Sequence, residues 1–215
     1  AWTWKTENAF IKDGCLHLQT AHAPHMRDGQ QLYYTSGIAK SRVEVKFGYF
    51  EARIRGASKF PGVCPAFWIT GSQRGGSGKI NAEIDIMEIQ EVAGNVRQID
   101  TNLHGLTADG KAIHDRRHWI APWDPRDDFH IYACLWTPDR IVWYIDGQQV
   151  NEAANTNWHI PQNVYLSMGL RMPLITYSGG PHHEGRSIAP SPEHSKPDGF
   201  PTAMQVDYVR VWSLP

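Results

Sequence analysis

Paired cysteines are missing from this 215-residue chain: its three, Cys15, Cys64 and Cys134, are an odd, widely separated set without zinc-site spacing. Neither a disulfide framework nor a structural zinc is indicated, and buried thiols are expected. Charge of one sign is lacking too, because 21 Lys and Arg stand against 22 Asp and Glu, leaving a formal net charge of −1. No overall basic field exists to hold a nucleic acid, so any anion recognition has to be local. No apolar run approaches the ~18–20 residues that span a bilayer, and the first residues lack a signal-peptide pattern. A soluble, processed chain is expected, with neither membrane nor nucleic acid as partner. Repeats, low-complexity tracts and linker-like breaks are also absent, which fits one domain over residues 1–215.

Helical periodicity is sustained nowhere. What recurs instead is short alternating or β-branched segments: 15–20, 37–47, 49–55, 66–70, 84–89, 100–103, 130–137, 140–145, 165–170 and 204–212. Asp13-Gly14 and Asp146-Gly147 sit between such segments, and Thr137-Pro138-Asp139-Arg140 links two more as a tight hairpin. Many antiparallel strands in one domain of this length imply an all-β, jelly-roll sandwich of two stacked sheets. Tyr177 to Pro201, rich in Ser, Gly, Pro and His, reads as a long irregular loop, and Arg116 to Arg126 as a second one.

The most informative stretch is Ala82-Glu83-Ile84-Asp85-Ile86-Met87-Glu88-Ile89, with three carboxylates in an otherwise apolar run. Carboxylates are poor strand formers, and neighbouring ones repel unless something pairs or uses them. Strand alternation puts Glu83 and Asp85 on one face and Glu88 on the other. A one-residue bulge near Ile86 and Met87 would return Glu88 to their face. Glu83 and Glu88 would then be roughly 13 Å apart at Cα and about 5–6 Å apart at the carboxyls if they lean together, the separation of a retaining glycosidase pair. Such hydrolysis needs one ionised carboxylate to attack the anomeric carbon and one protonated acid to release the leaving oxygen. Spacing alone does not say which Glu is which.

Nine tryptophans are many for this length. Trp136, Trp143 and Trp212 lie in alternating strands and are expected inside, while Trp68, Trp119 and Trp123 are candidates to stack on sugar rings. His22 with His25 and His182 with His183 form local pairs, expected in loops and without further ligands at metal spacing.

With these residues in view, AEIDIMEIQ resembles the E-x-D-x-x-E signature of glycoside hydrolase family 16, in its bulge-bearing branch. Longer segments, YYTSGIAKSR, FGYFEARIRGASKFPGVCPAFW, PWDPRDDFHIYACLWTPDRIVWYIDG and GFPTAMQVDYVRVW, are similar to the κ-carrageenase group of that family. The resemblance implies a single catalytic domain folded as a jelly roll with a concave substrate cleft. It makes Glu83 the nucleophile, Glu88 the acid/base and Asp85 their partner. The implied activity is endo-acting, retaining cleavage of β-1,4 bonds in a sulfated red-algal galactan by a monomeric enzyme that acts outside the cytoplasm, secreted, cell-surface or periplasmic. It matches Arg171 to an arginine near the cleaved galactose, and a guanidinium suits a sulfate oxyanion. It matches His104 to a histidine beside the catalytic strand. Arg126, with Arg116 and Arg117, is a further candidate for substrate binding. No cofactor is required; a structural Ca²⁺ held by Asp207 is implied for many members, although this chain starts after the family's usual first strand, which supplies another ligand. Same-family alternatives are a furcellaranase or β-carrageenase, then an agarase or porphyranase. The alternative from another class is a jelly-roll lectin, for which the carboxylate trio has no use.

Overall fold

The computed structural model describes residues 1–75, 78–90, 94–178 and 187–214. Strands with one apolar side bury it by stacking sheets, and two large sheets form. One, nine-stranded among the described residues, runs Thr3–Trp4, Gln30–Ser36, Cys15–Arg27, Thr202–Trp212, Gly48–Arg55, His130–Trp136, Arg140–Ile145, Gln148–Ala154, with Ala9–Lys12 beside Cys15–Arg27. The other, eight-stranded, runs Ala112–Asp115, Leu103–Leu106, Gly78–Ile89, Val63–Gly75, Gln162–Leu170, Ile38–Val45. Gln98–Asp100 joins the end of Gly78–Ile89 and carries His118–Ile120. The fold is the jelly-roll sandwich that the strand pattern implies. No helix among the described residues is long and apolar enough to cross a membrane.

Gly48–Arg55 shows how sequence becomes packing. Phe50, Ala52 and Ile54 are fully buried, while Tyr49, Glu51, Arg53 and Arg55 alternate outward. Phe67, Ile69, Ile84 and Met87 of the second sheet join the same core. Trp136 and Trp143 are also fully buried there, and an indole N–H in a dry interior needs an acceptor. Trp143 Nε1 donates to the Asp85 carbonyl at 2.9 Å, and Trp158 Nε1 donates to the Glu83 carbonyl at 2.8 Å. Trp136 Nε1 in turn fixes Trp158 through its carbonyl at 2.9 Å. The backbone of the carboxylate strand is thus held from the core side by two indoles.

Turn chemistry fixes the hairpins. Asp13-Gly14, Asp28-Gly29 and Asp146-Gly147 all have positive φ at both residues, the combination a two-residue hairpin of right-handed twist requires. The Thr137 to Arg140 turn closes through Thr137 N–H to the Arg140 carbonyl at 2.9 Å.

Three expectations are corrected. Trp212 is 46% exposed, because its register sets it opposite the outward-facing Tyr49. His22 and His25 lie on strand Cys15–Arg27 rather than in a loop; His25 bonds the Thr3 hydroxyl and the Ala23 carbonyl, both at 2.7 Å. Parts of the two irregular loops are strands, Ile175–Ser178 pairing Ser187–Pro190, and His118–Ile120. His182 and His183 lie outside the described residues. Cys64 and Cys134 are buried and Cys15 half-buried, all as free thiols.

Candidate active site

The ladder around Gly78–Ile89 resolves the parity problem. Across the neighbouring strand, Thr70 faces Glu83, Trp68 faces Asp85 and Ala66 faces Glu88. Those three partners are alternate residues of one strand, so they share a face and so do the carboxylates opposite them. Ile86 and Met87 together stand against Phe67 alone, which is a one-residue bulge. On the other side, His104 faces Glu83 and Asp100 faces Glu88. Between them the Asn102 carbonyl accepts the Asp85 N–H at 2.9 Å. The sheet's outer face therefore carries a carboxylate row flanked by Asp100, Asn102 and His104.

Glu88 is held by four side chains. Arg171 Nη2 donates to Oε1 at 2.8 Å and the Cys64 thiol approaches the same oxygen at 3.6 Å. Asn102 Nδ2 and Gln90 Nε2 donate to Oε2 at 3.0 and 3.2 Å. Gln90 ties this shell together: it also donates to Asp100 at 2.7 Å and accepts from Arg171 Nε at 3.0 Å. Asp85 is 4% exposed, with His104 Nε2 3.3 Å from its Oδ2. Burial and the Glu88 charge push the Asp85 carboxyl up. Burial, then the Asp85 charge, push Glu83 up to about 8. Such neighbours titrate as a set, with fewer negative charges than carboxyls near neutral pH.

This arrangement trades stability for chemistry, with a definite sign. Glu83 is raised above its unfolded value of 4.5 to about 8. Its contribution to folding is therefore complete below about pH 4.5 and lost as pH rises through about 8, because in that window only the native state keeps the proton. Glu83→Gln abolishes the term, so its stability advantage over the unaltered chain should widen by about 3–4 kcal/mol between pH 5 and pH 8. Urea unfolding at the two pH values measures the gap; a constant gap would show that Glu83 is not strained by its surroundings.

The other expected site residues divide. Trp68 stands on the carboxylate face, one side of its indole covered by Tyr165 at 4.5 Å between ring centroids. His104 and Arg171 join the cluster; His104 Nδ1 also meets His114 Nδ1 at 2.9 Å. Trp119 is a correction. It pairs with Ile99, which pairs with Ile89, and both isoleucines are buried, so its register puts it on the core-facing side and His118, opposite Asp100, on the carboxylate side. Trp123 is stacked on His130 at 3.4 Å and packs against the core, so one face is unavailable to a sugar. Arg126 is engaged by Asp124 at 2.6 Å and Arg117 by Asp115 at 2.7 Å, so each guanidinium is paired with a carboxylate of its own segment rather than with the catalytic cluster. Asp207 Oδ2 accepts from Arg53 Nη1 at 2.9 Å, a guanidinium where a calcium cage would need oxygens. The residues there do not fit that ion. Glu83, Asp85 and His104 each offer an atom within 4.8 Å of the others. A divalent ion among them would occupy the Glu83 oxygens that covalent catalysis needs free.

Glycosyl hydrolases family 16 is the family model that matches, over residues 1–182. The chain belongs to this family. Among relatives of the family-16 chain, the kappa-carrageenase of Pseudoalteromonas carrageenovora is 41% identical over 98% of the chain, which spans 57% of that protein's length. The solved complex of the Pseudoalteromonas carrageenovora enzyme with an oligotetrasaccharide of kappa-carrageenan superposes with a TM-score of 0.86 at 39% identity, covering 99% of this chain and 84% of that one. A kappa-carrageenase structure from Zobellia galactanivorans gives a TM-score of 0.87 at 34% identity, covering 100% and 84%.

Proposed function

We propose that this family-16 chain is an endo-acting retaining hydrolase of internal β-1,4 bonds in κ-carrageenan-type sulfated galactan, acting outside the cytoplasm as a monomer. The observation that carries the reading is Arg171: a guanidinium hydrogen-bonded to Glu88 inside the carboxylate cluster. Hydrolysis of a neutral glycan has no need of it, whereas a sulfate ester on the sugar being cleaved does. Similarity to two kappa-carrageenases supports the same substrate class.

In this scheme Glu83 attacks the anomeric carbon while Glu88 gives a proton to the leaving glycosidic oxygen. Glu88 then takes a proton from the water that releases the covalent glycosyl-enzyme. Glu83 has to be ionised to attack, and burial with the Asp85 charge opposes that. A proton retained on Asp85, whose carboxyl is also raised, removes the opposing charge as Glu83 ionises. Glu88 begins with Oε1 engaged by Arg171. A sulfate that draws the guanidinium to itself frees that oxygen for the leaving group, so the substrate's own charge readies the acid. Calcium has no step in this scheme.

Reducing-end release assayed on κ-carrageenan, furcellaran, β-carrageenan, agarose, porphyran and laminarin tests the reading. Fastest release from κ-carrageenan is expected. Activity confined to unsulfated polymers would overturn the substrate, and none on any galactan would overturn the function.

A further inference from the structure

The carboxylates also define the direction of the polymer. Glu83 and Glu88 stand on one strand with the scissile bond between them, so a chain threaded between them crosses the strands of the sheet. On one side of Asp85 that path follows a single row: Trp68, then Tyr165, then Lys40 at the edge strand Ile38–Val45. Direct cross-strand partners share a face, and the contacts agree, with Trp68 stacked on Tyr165 and Lys40 Nζ 5.4 Å from the Tyr165 ring centre. Three strand spacings separate Asp85 from Lys40, about 14 Å at ~4.8 Å each.

The row ends in a shallow, open groove lined by Lys40, Ser41, Arg42, Glu44 and Asn163. A bulge shapes it. Asn163 and Tyr165 are two residues apart on their strand, but their partners Glu44 and Lys40 are four apart, so Ser41 to Val43 swing away from the sheet. The displaced backbone is pinned from beneath: Asn163 Nδ2 donates to the Ser41 and Val43 carbonyls at 3.2 and 3.3 Å, and the Ser41 hydroxyl accepts the Val164 N–H at 2.9 Å. Asn163 is 7% exposed and lies in line with Glu83 through Thr70, so the groove continues the carboxylate-bearing face. Lys40 and Arg42 are exposed, and neither takes part in an ion pair among the described residues. Glu44 supplies the groove's single carboxylate, which leaves its lining net positive.

We propose that Lys40 and Arg42 form a distal subsite that binds the sulfate ester of a sugar remote from the cleaved bond. The inference rests on the function proposed above and extends it to the reach of the cleft. Lysines and bulges also blunt exposed sheet edges against aggregation, and the experiment has to separate the two roles.

The double variant Lys40→Ala/Arg42→Ala should be compared with the unaltered chain on κ-carrageenan polymer and on a κ-carrageenan tetrasaccharide, from low to moderate salt. The polymer-to-tetrasaccharide ratio of kcat/KM should fall about threefold to tenfold, the scale of two exposed charge pairs. The rise of polymer KM with salt should flatten as two cations leave the cleft. An unchanged ratio with unchanged salt dependence overturns the subsite and leaves edge protection as the role of these side chains. An unaltered chain that cleaves no sulfated galactan overturns the proposed function and this subsite with it, an outcome visible before any variant is made.

Discussion

Glu83→Gln should lower turnover on κ-carrageenan by about 10⁴-fold or more, while oligosaccharide affinity changes little, because the amide keeps the shape of the carboxylate and loses its nucleophilicity. Glu88→Gln should cost about 10²–10⁴-fold, the usual range for a single acid/base group. Loss of rate alone does not separate the roles; rescue by azide does. In a Glu83→Ala variant azide attacks the anomeric carbon directly and yields an α-glycosyl azide. In Glu88→Ala it intercepts the covalent intermediate and yields the β anomer. Exchanged anomers would reverse the two assignments, and a lectin would show no turnover before or after either change.

The second large effect belongs to Arg171. Measured in a Glu83→Gln background, where nothing is cleaved, Arg171→Met should weaken κ-carrageenan oligosaccharide binding by about 10²–10³-fold, the cost of removing one partner from a desolvated charge pair. Arg171→Lys should recover only part of the loss, since an ammonium keeps the charge but not the planar fork that engages two oxygens. Affinity for a desulfated oligosaccharide should change by less than about threefold. Equal losses on both ligands would make Arg171 a scaffold for Glu88 and remove sulfate from its role. Arg171 touches Glu88, Gln90 and the Leu170 carbonyl, so a circular dichroism spectrum and a melting curve should accompany the binding data.

Much of this site could be read from order and parity. Glu83, Asp85 and Glu88 demand a bulge if they are to share a face, and the ladder has one at Ile86 and Met87. The flanking row Asp100, Asn102, His104 is also legible as an alternating polar triplet within a strand-like run, of which His104 alone is matched by the family resemblance. Gln90 lies two residues from Glu88, but its links to Asp100 and Arg171 join separate segments and leave no local signal. Trp119 is hard to place from sequence for a related reason. Aromatics in a polar stretch resemble a sugar platform, and only pairing with Ile99 reveals that its face is the buried one. Arg126, by contrast, carried its answer beside it in Asp124, two residues away.

The same logic applies to the fold. A strand with clean alternation, such as Gly48–Arg55, or a continuous apolar run, such as His130–Trp136, stands out, whereas Gln30–Ser36 and Gln148–Ala154 are too polar for their patterns to be seen alone. Asp146-Gly147 nevertheless marks the second of these by its turn, and Asp28-Gly29, with positive φ at both residues, turns into the first. Hairpin chemistry proved a better guide to polar strands than hydrophobic periodicity.

The central claim is that the bulge brings Glu83 and Glu88 onto one face as a retaining pair. Proton NMR of the first products of κ-carrageenan cleavage, recorded before mutarotation, tests this most directly. The account predicts that the new reducing-end galactose appears first as the β anomer. Initial appearance of the α anomer would mean inversion, with a carboxyl separation too wide for Glu83 to attack, and would contradict it.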